Sequence, residues 1–380
     1  MKKIYLVIPA CLIVLGLFLY FVVPVLTIGD NHLIGDNIDY ISVNKVNDTI
    51  AFPVRSESFS GIIFTDRSLN EIQRLPILEY PINCKYSNDC SILLVTVWAP
   101  PPIFPGHEFD ENGSLAIIDT TNWSIRYCTL PSYPTELCVT NDNEYAYVTC
   151  GYYQDFYPYA RLLKVDLVNC GIENQIDFGK PGFNCVIMNN DETKLYFDAK
   201  EIKYENDAEN EWKVYQIGKS TIRVINKSTF QLVKDIYVDR GISQMINGPD
   251  NLIYAAHRGT RPENDSSITL ISTESDSVVN DGEIKINNTS CYELIYDGQN
   301  GYLYANPLIL SDYYDADNYL HTDWLPTNKV IRFLISDYSY TWIEVAPEEI
   351  GAIALSSDGS RIYGAAVAPD SQKVYYVDLE

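Results

Sequence analysis

The chain has 380 residues, 46% of them apolar, which is enough for a large hydrophobic core. Its formal net charge of −24 argues against a nucleic-acid partner, because binding to phosphate backbones depends on neutralising Lys and Arg side chains. The 30 tyrosines, together with many Val, Ile and Thr residues, favour strands over helices. We therefore expect an all-β protein that does not bind nucleic acid.

An apolar stretch without charged side chains occupies residues 4–28. It is long enough to cross a bilayer core of about 30 Å as a helix. Lys2 and Lys3 precede it and acidic residues follow, so the positive-inside bias keeps the N-terminus cytoplasmic. The stretch exceeds a typical signal-peptide core and lacks a small-x-small site, so we prefer an uncleaved anchor over a cleaved signal peptide or a lipoprotein signal at Cys11. We divide the chain into a transmembrane anchor, residues 1–29, and an extracytoplasmic domain, residues 30–380.

Seven similar units follow the anchor, each opening with a short strand and a hairpin turn. The turns contain Asn, Asp or Gly, which tolerate left-handed backbone angles. An apolar second strand returns, a third strand commonly ends in a polar residue, and five units continue into a fourth strand. Four-stranded units spaced by roughly 40 to 60 residues are typical of a β-propeller. The turns are at Asn47-Asp48, Asn88-Asp89, Asn141-Asp142, Asn190-Asp191, Asp250-Asn251, Asp297-Gly298 and Asp358-Gly359.

The last unit ends at Glu380, directly after its third strand. A sheet edge left open there would be a site for unwanted pairing. We expect residues 31–38, just after the anchor, to supply the missing strand. We predict seven blades, with six or eight as alternatives.

Two stretches carry a resemblance to a known repeat. They are residues 143–150 (NEYAYVTC) with residues 163–166 (LKVD), and residues 357–363 (SDGSRIY) with residues 374–378 (VYYVD). They resemble the YVTN-type β-propeller repeat of archaeal and bacterial surface proteins, a relative of WD40, and the pattern extends over residues 38–380. Cys150 stands where the repeat usually has Asn. The resemblance implies a propeller at the cell surface.

Five units carry insertions between their second and third strands, at residues 99–113, 151–160, 200–220, 257–267 and 306–328. In a propeller these connections leave the ring on one face. They are aromatic and acidic, which suits sugar stacking or protein contact because rigid rings give large contact areas. The alternative is that the rings fold inward onto the blades. The candidate binding residues are Trp98, Phe104, His107, Tyr152, Tyr153, Phe156, Tyr157, Tyr159, Trp212, Tyr313, Tyr314, His321 and Trp324.

The acidic loop containing Asp312, Asp315 and Asp317 is a candidate calcium site, because hard cations prefer several carboxylate oxygens. Its spacing does not fit an EF-hand, since Leu320 stands where a Gly is needed. A solvated acidic loop is therefore the preferred interpretation and calcium the alternative. We expect no other cofactor.

The eight cysteines beyond the apolar stretch form an even set in a chain that we expect to be exported. Cys84 and Cys90 flank one hairpin, and Cys150 and Cys170 lie on strands of one blade, so these are the candidate disulfides. Seven Asn-x-Ser/Thr triplets are candidate glycosylation sites, at Asn47, Asn112, Asn122, Asn226, Asn264, Asn287 and Asn288.

The sequence contains no GxSxG, HExxH, phosphate-binding glycine loop or dinucleotide fingerprint. It therefore favours a membrane-anchored surface propeller that binds a protein or a glycan without catalysis. The alternative is a divalent-cation-dependent hydrolase, because propellers resembling this one include lactonases that use acidic residues and a cation near the central channel.

Overall fold

The computed structural model describes residues 40–55, 59–77, 80–98, 113–131, 133–154, 157–179, 185–206, 212–238, 241–257, 267–286, 289–314, 320–366 and 373–379. These ranges contain 28 strands in seven antiparallel sheets and no helix. The seven sheets are the blades of a β-propeller, which confirms the predicted all-β fold and the preferred blade count.

Within each blade the strands follow one another from the channel outward. Blade 1 contains β1 (Ser42–Val43), β2 (Ile50–Arg55), β3 (Ser60–Thr65) and β4 (Glu71–Pro76). Blade 2 contains β5 (Tyr80–Tyr86), β6 (Ile92–Trp98), β7 (Gly113–Asp119) and β8 (Ile125–Leu130). Blade 3 contains β9 (Tyr133–Val139), β10 (Tyr145–Gln154), β11 (Tyr157–Asp166) and β12 (Gly171–Asp177). Blade 4 contains β13 (Val186–Met188), β14 (Lys194–Asn206), β15 (Trp212–Asn226) and β16 (Gln231–Val238).

The remaining blades follow the same order with two differences. Blade 5 contains β17 (Ile242–Asn247), β18 (Leu252–His257), β19 (Ser267–Ser272) and β20 (Ser277–Lys285). Blade 6 contains β21 (Thr289–Asp297), β22 (Tyr302–Tyr314), β24 (Lys329–Leu334) and β25 (Tyr340–Glu344), with β23 (Leu320–Pro326) as an additional strand on β22. Blade 7 contains β26 (Ile350–Leu355), β27 (Arg361–Ala366) and β28 (Val374–Asp378).

Side-chain contacts close the ring between blades 7 and 1. Phe52 of blade 1 and Tyr363 of blade 7 belong to one buried cluster. Arg67 donates to the Asp358 carboxylate at 2.8 Å, and the Arg67 carbonyl accepts from Arg361 at 2.9 Å. Blade 7 has three strands in the described part of the chain, as predicted, while residues 31–38, expected to complete it, lie outside that part.

Five equivalent tyrosines lie on the second strands of blades 3 to 7. Four of them contact the turn between the third and fourth strands of the following blade. Phe230, for example, stacks on Tyr147 with ring centroids 6.0 Å apart. Between blades 4 and 5, the Tyr196 hydroxyl donates to the Asp276 carboxylate at 2.5 Å. Phe230 and Asp276 both have positive φ, a conformation that costs about 1 kcal/mol for a non-glycine residue and that burial offsets. The tyrosines are Tyr147, Tyr196, Tyr254, Tyr304 and Tyr363, all fully buried.

Part of the negative charge has a structural role in the turns. Asp119 at the end of β7 accepts from the Thr121 hydroxyl at 2.6 Å, and its pKa is lowered chiefly by that bond. Asp166 at the end of β11 accepts from the backbone N–H of Asn169 at 2.9 Å, which likewise lowers its pKa. The polar residues predicted at the ends of third strands therefore close the next turn.

Residues 1–39, with the predicted anchor at residues 4–28, lie outside the described ranges. Within those ranges no helix has the length and apolar character needed to span a bilayer.

Candidate functional site

The two faces of the ring are built differently. Because neighbouring strands run antiparallel, the first and third turns of every blade lie on one face, which we call the turn face. The connections between second and third strands lie on the opposite face, which we call the insertion face. The described parts of the predicted insertions of blades 3, 4 and 6 are on this second face, whereas residues 99–112 and 258–266 lie outside the described ranges.

Three of these insertions continue the blade strands as extended hairpins rather than forming the loops expected from the sequence. β14 and β15 have 13 and 15 residues, whereas β18 and β19 of the next blade have 6 each. At about 3.3 Å per residue, this hairpin rises roughly 20 Å beyond an ordinary blade. Pairing continues to Gln154 and Tyr157 in blade 3, to Asn206 and Trp212 in blade 4, and to Tyr314 and Leu320 in blade 6.

Most of the described candidate binding residues are in the paired backbone of these hairpins. Tyr152 is opposite Tyr159, and Tyr153 is opposite Pro158. In blade 6, Tyr313 is opposite His321. Three more candidates stand at strand ends: Tyr157 begins β11, Trp212 begins β15 and Tyr314 ends β22. In blade 6, Trp324 is paired with Leu310, and Asp312 is paired with Thr322.

Trp98 differs from the other candidates because its surroundings are described. It is half-buried at the end of β6, and its indole N–H donates to the carbonyl of Pro134 at 2.6 Å. Its ring packs on Tyr133 of the next blade at 5.3 Å. Trp98 therefore joins blades 2 and 3, in agreement with the alternative that aromatic residues fold inward. Phe104, His107, Phe156, Asp315 and Asp317 lie outside the described residues.

A channel runs through the centre of the ring and contains two cavities of about 560 and 380 Å³. Inner strands from all seven blades line them. Lys85, Glu136 and Gln244 border both cavities. The channel is therefore the second place in this fold where a ligand could be held.

One level of the channel is polar, and a backbone irregularity recurs beside it. In the inner strands of blades 2, 5, 6 and 7, the pairing register shifts just before the same position. This position, which we call the ring position, lies four residues before the residue that opens the first turn. It is occupied by Tyr40, Asn83, Glu136, Cys185, Gln244, Glu293 and Ala352.

Side chains at the ring position connect one blade to the next. Asn83 donates its side-chain amide to Glu136 at 2.8 Å. Gln244 accepts from the backbone N–H of Leu294 at 2.5 Å, and Glu293 accepts from that of Ile353 at 2.7 Å. These polar groups therefore hold the inner strands together as well as lining the channel.

The electrostatics of this level are dominated by two glutamates and a tyrosine. The pKa of Glu293 is raised to about 8, because burial and the nearby Glu136 raise it by more than the hydrogen bond from the Ile353 N–H lowers it. Burial also raises the pKa of Tyr40 well above its usual value. The negative charges of Glu136 and Glu293 raise this pKa further, as does the hydrogen bond between Glu136 and the Tyr40 phenol. The channel therefore favours the protonated form of Glu293 more than bulk water does.

The described part of the chain contains no group of three or more His, Cys, Asp or Glu side chains placed to hold a metal ion. The candidate calcium residues Asp315 and Asp317 lie outside it, so calcium remains a prediction. In the channel, the arrangement of Glu136, Glu293 and Tyr40 can bind by hydrogen bonds and can store a proton.

The described cysteines, including Cys84, Cys90, Cys150 and Cys170, are all free thiols in this structure. Both predicted disulfides remain predictions about the oxidised protein. Cys84 and Cys90 lie in one buried cluster. Cys150 is buried in a second cluster, against which Cys170 packs.

Three candidate glycosylation sites are described. Asn47 and Asn122 are exposed turn residues. Asn226 is half-buried and its side-chain oxygen accepts from the backbone N–H of Thr229 at 2.9 Å. Asn112, Asn264, Asn287 and Asn288 lie outside the described residues.

The ring-position residues were missed by the sequence analysis, although a signal for them exists. When the seven units are aligned on their first turns, Asn83, Glu136, Gln244 and Glu293 occupy one column of the inner strands. A polar side chain at such a position faces either a partner or a cavity.

Comparison with models of known protein families gives no match, and comparison with curated proteins gives none either. Solved structures do resemble the chain. One is hydrazine synthase from Kuenenia stuttgartiensis, with a TM-score of 0.59, 15% sequence identity, and coverage of 92% of this chain and 99% of that one. At this identity the likeness concerns the fold alone. The comparisons therefore show a β-propeller and assign no family.

Proposed function

We propose that this protein is a membrane-anchored β-propeller of the cell surface that binds a protein or a glycan through its insertion face, without catalysis. The observation that carries the proposal is the set of three extended hairpins, β10–β11, β14–β15 and β22–β23, on that one face. The apolar stretch at residues 4–28 supports the anchored topology, and the YVTN-like residues around Tyr147 support a surface location.

Paired hairpins are better suited to recognition than loops of the same composition. Their backbone is ordered before a partner arrives, so binding loses less conformational entropy. Four tyrosines, Tyr152, Tyr153, Tyr157 and Tyr159, are concentrated in the β10–β11 hairpin. Tyrosine gives a large rigid contact area at low entropic cost, and its hydroxyl can hydrogen-bond to a sugar or a peptide group.

The test shortens the β10–β11 hairpin and retains the seven blades of the ring. Cys150 and Arg161 are paired across β10 and β11, so an Asn-Gly turn can replace residues 151–160 and close the hairpin there. The full-length protein, purified in detergent and labelled, is applied to a printed glycan array and to intact cells. The matched control is Tyr237→Ser, which removes a tyrosine that is 75% exposed on outer strand β16.

We expect the wild-type and Tyr237→Ser proteins to bind the same ligands saturably, and the shortened variant to lose at least about tenfold in affinity. A loss of that size corresponds to about 1.4 kcal/mol, less than one good aromatic anchor contributes. Circular dichroism verifies that the shortened protein remains folded. Undiminished binding by a folded shortened variant would contradict the assignment of this hairpin to the binding surface.

A further inference from the structure

Two cysteines from neighbouring blades pack in the same buried region. Cys128 lies on β8, the outer strand of blade 2, and is 1% exposed. Cys170 is in the turn between β11 and β12 of blade 3 and is half-buried. Arg126, two residues before Cys128 on β8, reaches to 4.0 Å from the Cys170 sulfur, which places Cys170 beside that strand. Cys170 also packs against the buried cluster that contains Cys128, so the contact lies between the blades.

We propose that Cys128 and Cys170 form a disulfide in an oxidising environment and covalently join blade 2 to blade 3. This covalent site differs from the pairs expected from the sequence, where Cys170 was paired with Cys150. A sequence argument could not find it, because the partners belong to different repeat units and come together only when the blades pack.

The neighbourhood of Cys170 favours it as the first thiol to react. It is the more exposed of the two, whereas burial raises the pKa of Cys128 well above its usual value. The Arg126 guanidinium reaches to 4.0 Å from the Cys170 sulfur and is held there by a bond to the carbonyl of Val168 at 3.2 Å.

The reaction is a thiol–disulfide exchange with a low-molecular-weight disulfide as oxidant. The Cys170 thiolate attacks one sulfur of the oxidant, breaks its S–S bond and releases one small thiol. Cys128 then loses its proton and attacks the Cys170 sulfur of the mixed disulfide, which releases the second small thiol. Two protein thiols are oxidised by two electrons, and one small disulfide is reduced to two thiols.

The test uses the full-length protein in detergent, first reduced and then equilibrated with oxidised glutathione. Remaining thiols are alkylated, and the unreduced protein is digested with proteases that cleave after Lys or Arg and after Glu. The sequence places Cys128 in residues 127–136, Cys138 in 137–144, Cys150 in 145–161 and Cys170 in 165–173. Mass spectrometry can therefore distinguish all the pairings of Cys170.

We expect peptide 127–136 linked to peptide 165–173, and a rise of about 4 °C in melting temperature on oxidation. Cys170→Ser should abolish the linked peptide and lower the rise in melting temperature, whereas Cys291→Ser, in blade 6, should leave both unchanged. The proposal is overturned if peptide 165–173 is linked to 145–161, or if peptides 127–136 and 165–173 remain alkylated after equilibration. The wild-type digest alone decides this, even if a variant fails to fold.

Discussion

Replacing Glu293 by Gln should make the stability of the ring less dependent on pH. Glu293 accepts from the backbone N–H of Ile353 at 2.7 Å, and a Gln side chain retains an oxygen that can accept the same bond. The substitution therefore removes the ionisation of the side chain while preserving the contact between blades 6 and 7.

The magnitude follows from linkage between protonation and folding. Burial raises the pKa of Glu293 from 4.5 to about 8, so the folded protein holds a proton that the unfolded chain has lost. The associated stabilisation is complete below pH 4.5 and disappears as pH rises to about 8. The upper limit is about 5 kcal/mol. Because Glu293 lines a solvent-connected channel and is only half-buried, we expect roughly 2 kcal/mol.

Urea unfolding at pH 5 and pH 8.5 measures this effect for both proteins. The difference in unfolding free energy between the two pH values should be about 2 kcal/mol larger for wild type than for Glu293→Gln, or about 3 °C in melting temperature. Other groups that titrate equally in both proteins contribute equally to the two free-energy differences, so their contributions cancel in the comparison. Equal pH dependence in the two proteins would refute the argument and would mean that Glu293 is already hydrated and ionised at neutral pH.

Other substitutions test the remaining structural assignments. Asp89→Ala should destabilise by about 1 kcal/mol in urea unfolding at pH 7, because Asp89 accepts from the backbone N–H of Ser91 and from Asn143 of the next blade. The pKa of Asp89 is lowered chiefly by the Ser91 bond, so this difference should vanish as the pH falls well below 4. Phe230→Ala should cost about 3 kcal/mol by removing the ring stacked on Tyr147, and a loss below 1 kcal/mol would argue against that contact. Gly359→Ala should lower the melting temperature by a few degrees, because Gly359 has a φ of 71° and an added Cβ would meet Asp297.

The repeat could be predicted from the sequence because each blade is specified by local signals. The turn residues Asn88-Asp89 and Asp358-Gly359 recur at a regular spacing between apolar strands. A hairpin needs only such residues and alternating side chains, which are properties of neighbouring positions. Blade number and strand order followed from those signals.

The features that were missed depend on contacts between blades. The packing of Cys170 against the cluster that contains Cys128 links positions in different units, as does the hydrogen bond from Asn83 to Glu136. The insertions around Tyr152 and Trp212 were expected to be loops, because long connections rich in aromatic and acidic residues resemble loops in composition. Their β-pairing is visible only once both sides of each hairpin are aligned.

The two faces differ in how much their side chains contribute to the stability of the ring, and this difference is a physical reason to propose binding on the insertion face. On the turn face, Asp89 and Asp358 are held by hydrogen bonds to their own turns and to adjacent blades, and Arg67 completes the ring there. Changes to these side chains alter the ring itself, because the same groups carry its stability. The paired backbone of the β14–β15 hairpin continues beyond the length needed for a blade, as comparison with β18–β19 shows. Residues in that extension can change while the ring keeps its contacts, so the binding surface that we propose there would be separate from the groups that stabilise the fold.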